Sequence, residues 1–280
     1  MNNFRSISHI IEPELVLEGA GVLLRRSVSP RSSNEYDPFL LFDHFAFNNP
    51  LEGPLRGFPM HPHRGIETVT YILDGSVSHR DSLGNSGVIG PGDVQWMTSG
   101  RGILHEEMPR RGESGNIFGF QLWVNLPAAQ KMSQPRYQEV NSSTIPTINK
   151  DGSAIRLVAG DLEGMRGPVT EIAAAPLYMD VKLDPGSSFI YPIPLGHTVL
   201  AYVFEGTGKF ADQNVDSVSM VVFNNDGDQL AVHSEGGVRF MLMAGAPFKE
   251  PIVPYGPFVM NTAEEIQQTL AELRNGTFIK

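Results

Sequence analysis

The sequence predicts an all-β protein made of two similar domains, with one short helix near its C-terminal end. Three observations lead there. The 280 residues include 29 glycines and 21 prolines. These fall between short apolar runs, as turns do between strands. Those runs recur in the second half of the chain. Helical periodicity shows mainly near the end.

Taken in order, Val16-Leu17 and Val22-Leu23-Leu24 flank Gly19-Ala20-Gly21 and predict an early hairpin. Residues 69–73 and 117–124 are strand candidates in the first half; 199–204, 220–223 and 238–243 are their kind in the second. Residues 127–153, rich in Gln, Ser, Pro and Asn, form the expected linker. This predicts domains at 1–135 and 136–280. Ile266, Leu270 and Leu273 share helical spacing, Thr262 with Glu265 matches a capping box, and Gly276 is a plausible stop.

The halves resemble each other. Tyr71-Ile72-Leu73-Asp74-Gly75, with Asp81 beyond, parallels Tyr202-Val203-Phe204-Glu205-Gly206 with Asp212, at an offset of 131. Gly90-Pro91-Gly92-Asp93 parallels Asn225-Asp226-Gly227-Asp228 at an offset of 135. One repeat of this size implies two domains, each with its own core.

Composition narrows the function. A formal charge of −10 argues against direct nucleic-acid binding, which needs a basic footprint. No cysteine is present, so disulfides and thiolate metal sites are excluded. The first residues lack a secretory core and no apolar run is long enough for a membrane span, so a cytoplasmic location is expected.

The chemistry-bearing motifs are His61-Pro62-His63 and His105-Glu106-Glu107. Spacing of i, i+2 in a strand places both side chains on one face. Two such strands side by side bring three imidazoles and a carboxylate together, a set that suits a first-row transition metal. Shifted by the repeat offsets, His61, His63, His105 and Glu107 fall on Pro192, Pro194, Phe240 and Leu242. The second domain is therefore expected to lack metal ligands and to have an apolar or empty interior.

The duplicated pattern looks like two tandem cupin domains, small jelly-roll-like β-barrels. More closely, the chain resembles the pirin family. The resemblance is carried by the run from His61 through Arg64, Gly65 and Glu67 to Tyr71, by Pro91-Gly92-Asp93-Val94-Gln95-Trp96-Met97, by Gly100-Arg101-Gly102-Ile103-Leu104-His105 with Glu107-Met108-Pro109, and by Tyr255-Gly256-Pro257-Phe258. It implies a mononuclear Fe(II) held by His61, His63, His105 and Glu107, and a metal-free second cupin. The donor set itself also suits Mn, Co, Ni, Zn or Cu. The resemblance further implies oxidative cleavage of a flavonol such as quercetin with O2. The alternative it offers is a non-catalytic, iron-dependent regulatory module with a protein partner. In the first reading Glu107 is both ligand and general base.

Spacing alone leaves Glu67 eligible as a ligand beside Glu107. The expected role for Glu67 is a supporting one, paired with Arg64 or Arg101. Glu106, of opposite parity, should point away. His44 reads as a core histidine, and His79 with Asp81 as a surface pair. Trp96 and Trp123 are candidates for walling an aromatic pocket, Met60 and Met97 for lining it. Gly100-Arg101-Gly102 reads as a tight turn before the second ligand strand.

Overall fold

The computed structural model describes residues 3–32, 34–45 and 56–279. It is almost wholly β, with a single α-helix among the described residues, Ala263–Arg274. No described helix is long and apolar enough to cross a membrane. The chain forms two compact units: Glu14–Ser142 with Phe248–Lys280, and Met1–Pro13 with Ser143–Pro247. The linear division at 135/136 expected from sequence differs from these units at both termini. Pattern reading assumes that the chain crosses once between cores. Here each terminus belongs to the unit that satisfies its backbone: Ile7–Ile11 pairs with Ser219–Phe223, and the strand pair Val253–Tyr255 and Phe258–Met260 precedes the helix in the other unit.

The Glu14–Ser142 unit contains two sheets. One runs in the order Arg136–Val140, Val94–Thr98, Ile66–Asp74, Phe118–Asn125, Phe39–Phe45, Val22–Val28, Glu14–Glu18. The other runs Phe58–His63, Ile103–Arg110, Ser76–Asp81, Ser86–Ile89. The early hairpin and the strands expected at 69–73 and 117–124 are present. Strand alternation sorts the larger sheet. Thr68 and Thr70 lie opposite Trp123 and Gln121, which lie opposite Leu41 and Asp43. This face meets the smaller sheet, because Thr70 bonds Glu107 and Trp123 packs on His63. On the other face Phe42, Tyr71 and Phe120 cluster, and His44 packs against Phe118 and Phe120, a core histidine as expected.

Buried cations tie the C-terminal segment to this unit. Arg64 is 1% exposed. It donates to Arg101 O (2.6 Å), Thr269 Oγ1 (3.0 Å) and Glu272 Oε2 (2.6 Å), and lies 4.5 Å over the Phe278 ring. The expected pairing of Glu67 with Arg64 does not form, because the helix claims the guanidinium. Lys131, also 1% exposed, donates to Gly65 O, Asn125 Oδ1 and Val259 O at 2.8–2.9 Å. The helix starts at the expected capping box: Glu265 N donates to Thr262 Oγ1 and Thr262 N to Glu265 Oε2. Ile266, Leu270 and Leu273 pack with Phe258, Met260 and Leu104. Gly276 follows at φ +70°, a conformation that glycine adopts readily.

The second unit repeats the first. Strand Thr198–Phe210 pairs with Ser219–Phe223 and Val238–Gly245, and Val238–Gly245 pairs with Leu177–Leu183. Ser187–Pro192 pairs with Gln229–Ser234. Registers now fix the correspondence. Glu107 pairs with His79 and His105 with His61 in the first unit. With His79 matched to Phe210 by the 131 offset, their counterparts pair as Val232 with Phe210 and Leu230 with Tyr191. Ile193, bonded to Asp228, takes the place of His63. The four counterparts are thus Tyr191, Ile193, Leu230 and Val232, not Pro192, Pro194, Phe240 and Leu242. The offset fails because Asn225–Asp228 follows strand Ser219–Phe223, whereas Gly90–Asp93 precedes its equivalent, Val94–Thr98. All four counterparts sit in an apolar core with Phe189, Phe210 and Phe240, so the interior is apolar.

Lys131→Met should lower the stability of the first unit by roughly 3 kcal/mol, since three buried acceptors lose their donor. Both tryptophans, Trp96 and Trp123, lie in this unit, so intrinsic fluorescence during urea unfolding reads the change. An unmoved midpoint would refute it.

Candidate metal centre

Antiparallel pairing of Phe58–His63 with Ile103–Arg110 sets His105 opposite His61. His63 is two residues further along the same face. The three rings converge, with centroids 4.4–4.9 Å apart. One nitrogen from each lies within 4.8 Å of the others. His61 Nε2 and His63 Nε2 are 3.0 Å apart. Two nitrogens about 2.1 Å from one metal and at right angles would be separated by roughly that distance. His61 Nδ1 lies 2.9 Å from Pro59 O, which fixes Nδ1–H as donor and leaves Nε2 with its lone pair. Both nitrogens of His105 are buried without a hydrogen-bond partner. Facing lone pairs and orphaned imidazole nitrogens are what a cation would satisfy, so the residues fit a metal.

Burial and the neighbouring imidazoles push His63 and His105 well below the usual histidine pKa. Both are therefore neutral at pH 7, the form that ligates. The Glu107 carboxylate stands 4.0 Å from His105 Nε2. It accepts from Thr70 Oγ1 at 3.1 Å and from Gln121 Nε2 at 3.2 and 3.3 Å. Glu106 points away and pairs with the exposed Arg80, as its parity requires.

Other expectations fare differently. Glu67 does not share the face of His61 and His63. Gly65, at φ +80°, breaks the strand, and a Cβ there would meet Val259 O at 2.1 Å. Parity restarts at Ile66, and Glu67 takes the face opposite Thr70, where it accepts from Thr98 Oγ1 at 2.7 Å. His79 and Asp81 are not a surface pair; both are buried. His79 stacks on Tyr137 and sits 2.7 Å from Glu139, while Asp81 caps its own turn through Leu83 N and Asn85 N. The reason is that Ser76–Asp81 neighbours the ligand strand instead of lying on an edge. Gly100 (φ +46°) and Gly102 (φ +138°) form the expected turn.

His61, His63 and Glu107 open into a cavity of about 570 Å³. Trp123 lines it, its ring 5.2 Å from that of His63 and its Nε1 buried without a partner. Trp96 and Met60 do not line it; Trp96 has the opposite parity, and Met60 is 43% exposed. Met97 is fully buried beside Thr68 and also stays off the wall. Sequence reading missed Gln121 and Thr70, although Gln121-x-Trp123 carries the same i, i+2 signal as the histidines. It missed Arg26 and Asp43 too. These form a two-bond pair at 2.7–2.8 Å on the cavity wall, with Glu18 also on the guanidinium.

Comparison with known proteins places these features in context. The Pirin family profile matches residues 21–124, and the profile of the Pirin C-terminal cupin domain matches 178–279. The chain is 43% identical to human Pirin over 92% of its length and 88% of that protein. It is 42% identical to a Pirin-like protein of Caulobacter vibrioides, over 98% of this chain and 99% of that one. A solved structure of quercetin 2,3-dioxygenase from Acinetobacter baumannii superposes with a TM-score of 0.90 at 34% identity, covering 98% of each chain.

His105→Ala should reduce bound metal at least about tenfold in protein loaded at limiting metal, measured by elemental analysis. Full retention would remove His105 from the ligand set. Acid should also destabilise the metal-free protein. The folded pKa values of His63 and His105 lie below 6.5, and that of His44 is pushed by burial to about 3. Between those values and 6.5 the unfolded chain binds more protons, so stability falls as pH drops through 6.5 and is unaffected by these groups above it. A denaturation midpoint that rises on going from pH 7 to pH 5 in His44→Phe and parent alike would contradict this.

Proposed function

Because this chain belongs to the pirin family, we propose that it is a dioxygenase that cleaves a flavonol such as quercetin with O2. His61, His63, His105 and Glu107 hold one divalent metal, and iron(II) is the ion the family favours. One observation carries the reading: three imidazoles converge beside the Glu107 carboxylate, and His61, His63 and Glu107 line a cavity of about 570 Å³, within the size range of small-ligand pockets. The likeness to the Acinetobacter baumannii quercetin 2,3-dioxygenase supports the substrate class.

When bound, the metal supplies a Lewis acid for the flavonol oxygens and a redox centre for dioxygen. The protein groups do the rest. Thr70 and Gln121 donate to Glu107 and fix its orientation. Glu107 accepts the proton of the flavonol 3-hydroxyl as general base. Trp123 offers a flat face and an unpaired Nε1–H to the substrate. Arg26, held by Asp43 and Glu18 with its pKa raised by them, remains a fixed cation on the wall. The bound pose aligns substrate with the metal-facing groups, and this positioning lowers the barrier. Ring opening consumes one O2 and releases one ring carbon as carbon monoxide.

Flavonol absorbance should fall in air, stay constant under nitrogen, and stay constant after metal is chelated. Equal loss in all three samples would sink the proposal. Glu107→Gln should lower kcat by about 10²-fold or more if proton removal limits turnover. Metal content measured on the same sample separates lost ligation from lost base.

A further inference from the structure

The second unit has its own cavity of about 570 Å³, lined by residues of that unit alone. Strand registers place it where the first unit carries its metal centre. Tyr191 and Ile193 stand in place of His61 and His63. Leu177 stands in place of Leu41 and Ala244 in place of Trp123, because Leu177 pairs with Ala244 as Leu41 pairs with Trp123. All four counterparts line the second cavity, as their equivalents line the first. The mouth is therefore retained while its ligands are replaced by apolar groups, and a methyl replaces an indole.

The rim decides what kind of molecule fits. Asp161 and Asp228 are exposed there, and Gln229 carries a buried Oε1 with no hydrogen-bond partner. Burial and the charge of Arg5 lower the His197 pKa, so this imidazole is neutral. Arg5 is itself 1% exposed and committed to Gly227 O, His197 O, Pro194 O and Asn225 Oδ1. It holds the 194–197 wall in place without offering charge to a ligand, so the rim is preformed. The Tyr191 hydroxyl is likewise used, donating to Asp161 O at 2.5 Å. The rim thus presents acceptors over an apolar floor bordered by Pro176, Pro192 and Pro194. An anion would meet two carboxylates and no free cation there.

We propose that this cavity is a metal-independent binding site for a small aromatic molecule that carries a hydrogen-bond donor, either a phenolic hydroxyl or an ammonium. The site is independent of the proposed dioxygenase reaction and of the metal.

The test uses the full chain with 13C-methyl-labelled alanine and leucine and three probes: 1-naphthol, 1-naphthylmethylammonium and 1-naphthoate. At least one donor probe should shift the Ala244 and Leu177 methyls saturably, whether or not metal is present. Naphthoate should bind these positions at least tenfold more weakly. Gln229→Leu should weaken the donor probe by roughly 3- to 10-fold through the lost acceptor, and Ala244→Leu should weaken it further by filling the floor. Leu41 reports separately on the first cavity. The proposal is overturned if neither donor probe moves the Ala244 and Leu177 methyls, if naphthoate binds there as tightly, or if Gln229→Leu and Ala244→Leu both leave affinity unchanged. Gln229, at the cavity edge, keeps the test decisive should Ala244→Leu fail to fold.

Discussion

The pairing of two strands governs this protein. Phe58–His63 runs antiparallel to Ile103–Arg110 in the register that sets His61 against His105. A slip of one residue would send every side chain on the moving strand to the opposite face. The three imidazoles would then separate, and Pro62 or Leu104, depending on which strand moved, would face the site. The register is held just beyond His63, where the ligand strand ends. Gly65 turns the chain where no other residue fits without displacing Val259, and the buried Arg64 locks the turn to the C-terminal helix. Removing one partner of such a buried ion pair leaves an uncompensated charge, so the helix is bound to the geometry of the histidine cluster.

Strand pairing also fixes where the Glu107 carboxylate stands. Glu107 is nearly excluded from water. Thr70 and Gln121 supply hydrogen-bond donors to it, and both come from the facing sheet. The sandwich therefore does two things at once. One sheet brings the ligand strands together, and the other positions the Glu107 side chain. The buried, neutral imidazoles of His63 and His105 complement this, because neutral nitrogens are the form that binds a cation.

Duplication gives an internal comparison. Both units use the same strand order around the mouth, yet one interior is polar and the other is packed with Tyr191, Ile193, Leu230 and Val232. Polar ligands in a barrel interior leave unsatisfied groups unless a cation binds. Replacing all four with apolar residues removes that cost and adds burial. The second unit is then free to be a stable scaffold with its mouth still open.

Much of this was legible in the chain. Turn residues between apolar runs gave the β class, the repeat gave two domains, the capping box gave the helix start, and the i, i+2 histidine pairs gave the metal-binding candidates, because strand and helix periodicities are local properties. What required tertiary structure was everything that depends on where the chain turns between sheets. Parity carried through Arg64-Gly65 misplaced Glu67, since periodicity ends where the strand does. A repeat offset carried past an unequal loop misplaced the counterparts of the ligands. Burial of His79 and the return of the C-terminal segment to the first unit are long-range outcomes, set by which surfaces meet and which buried donors find acceptors, and no local pattern encodes them.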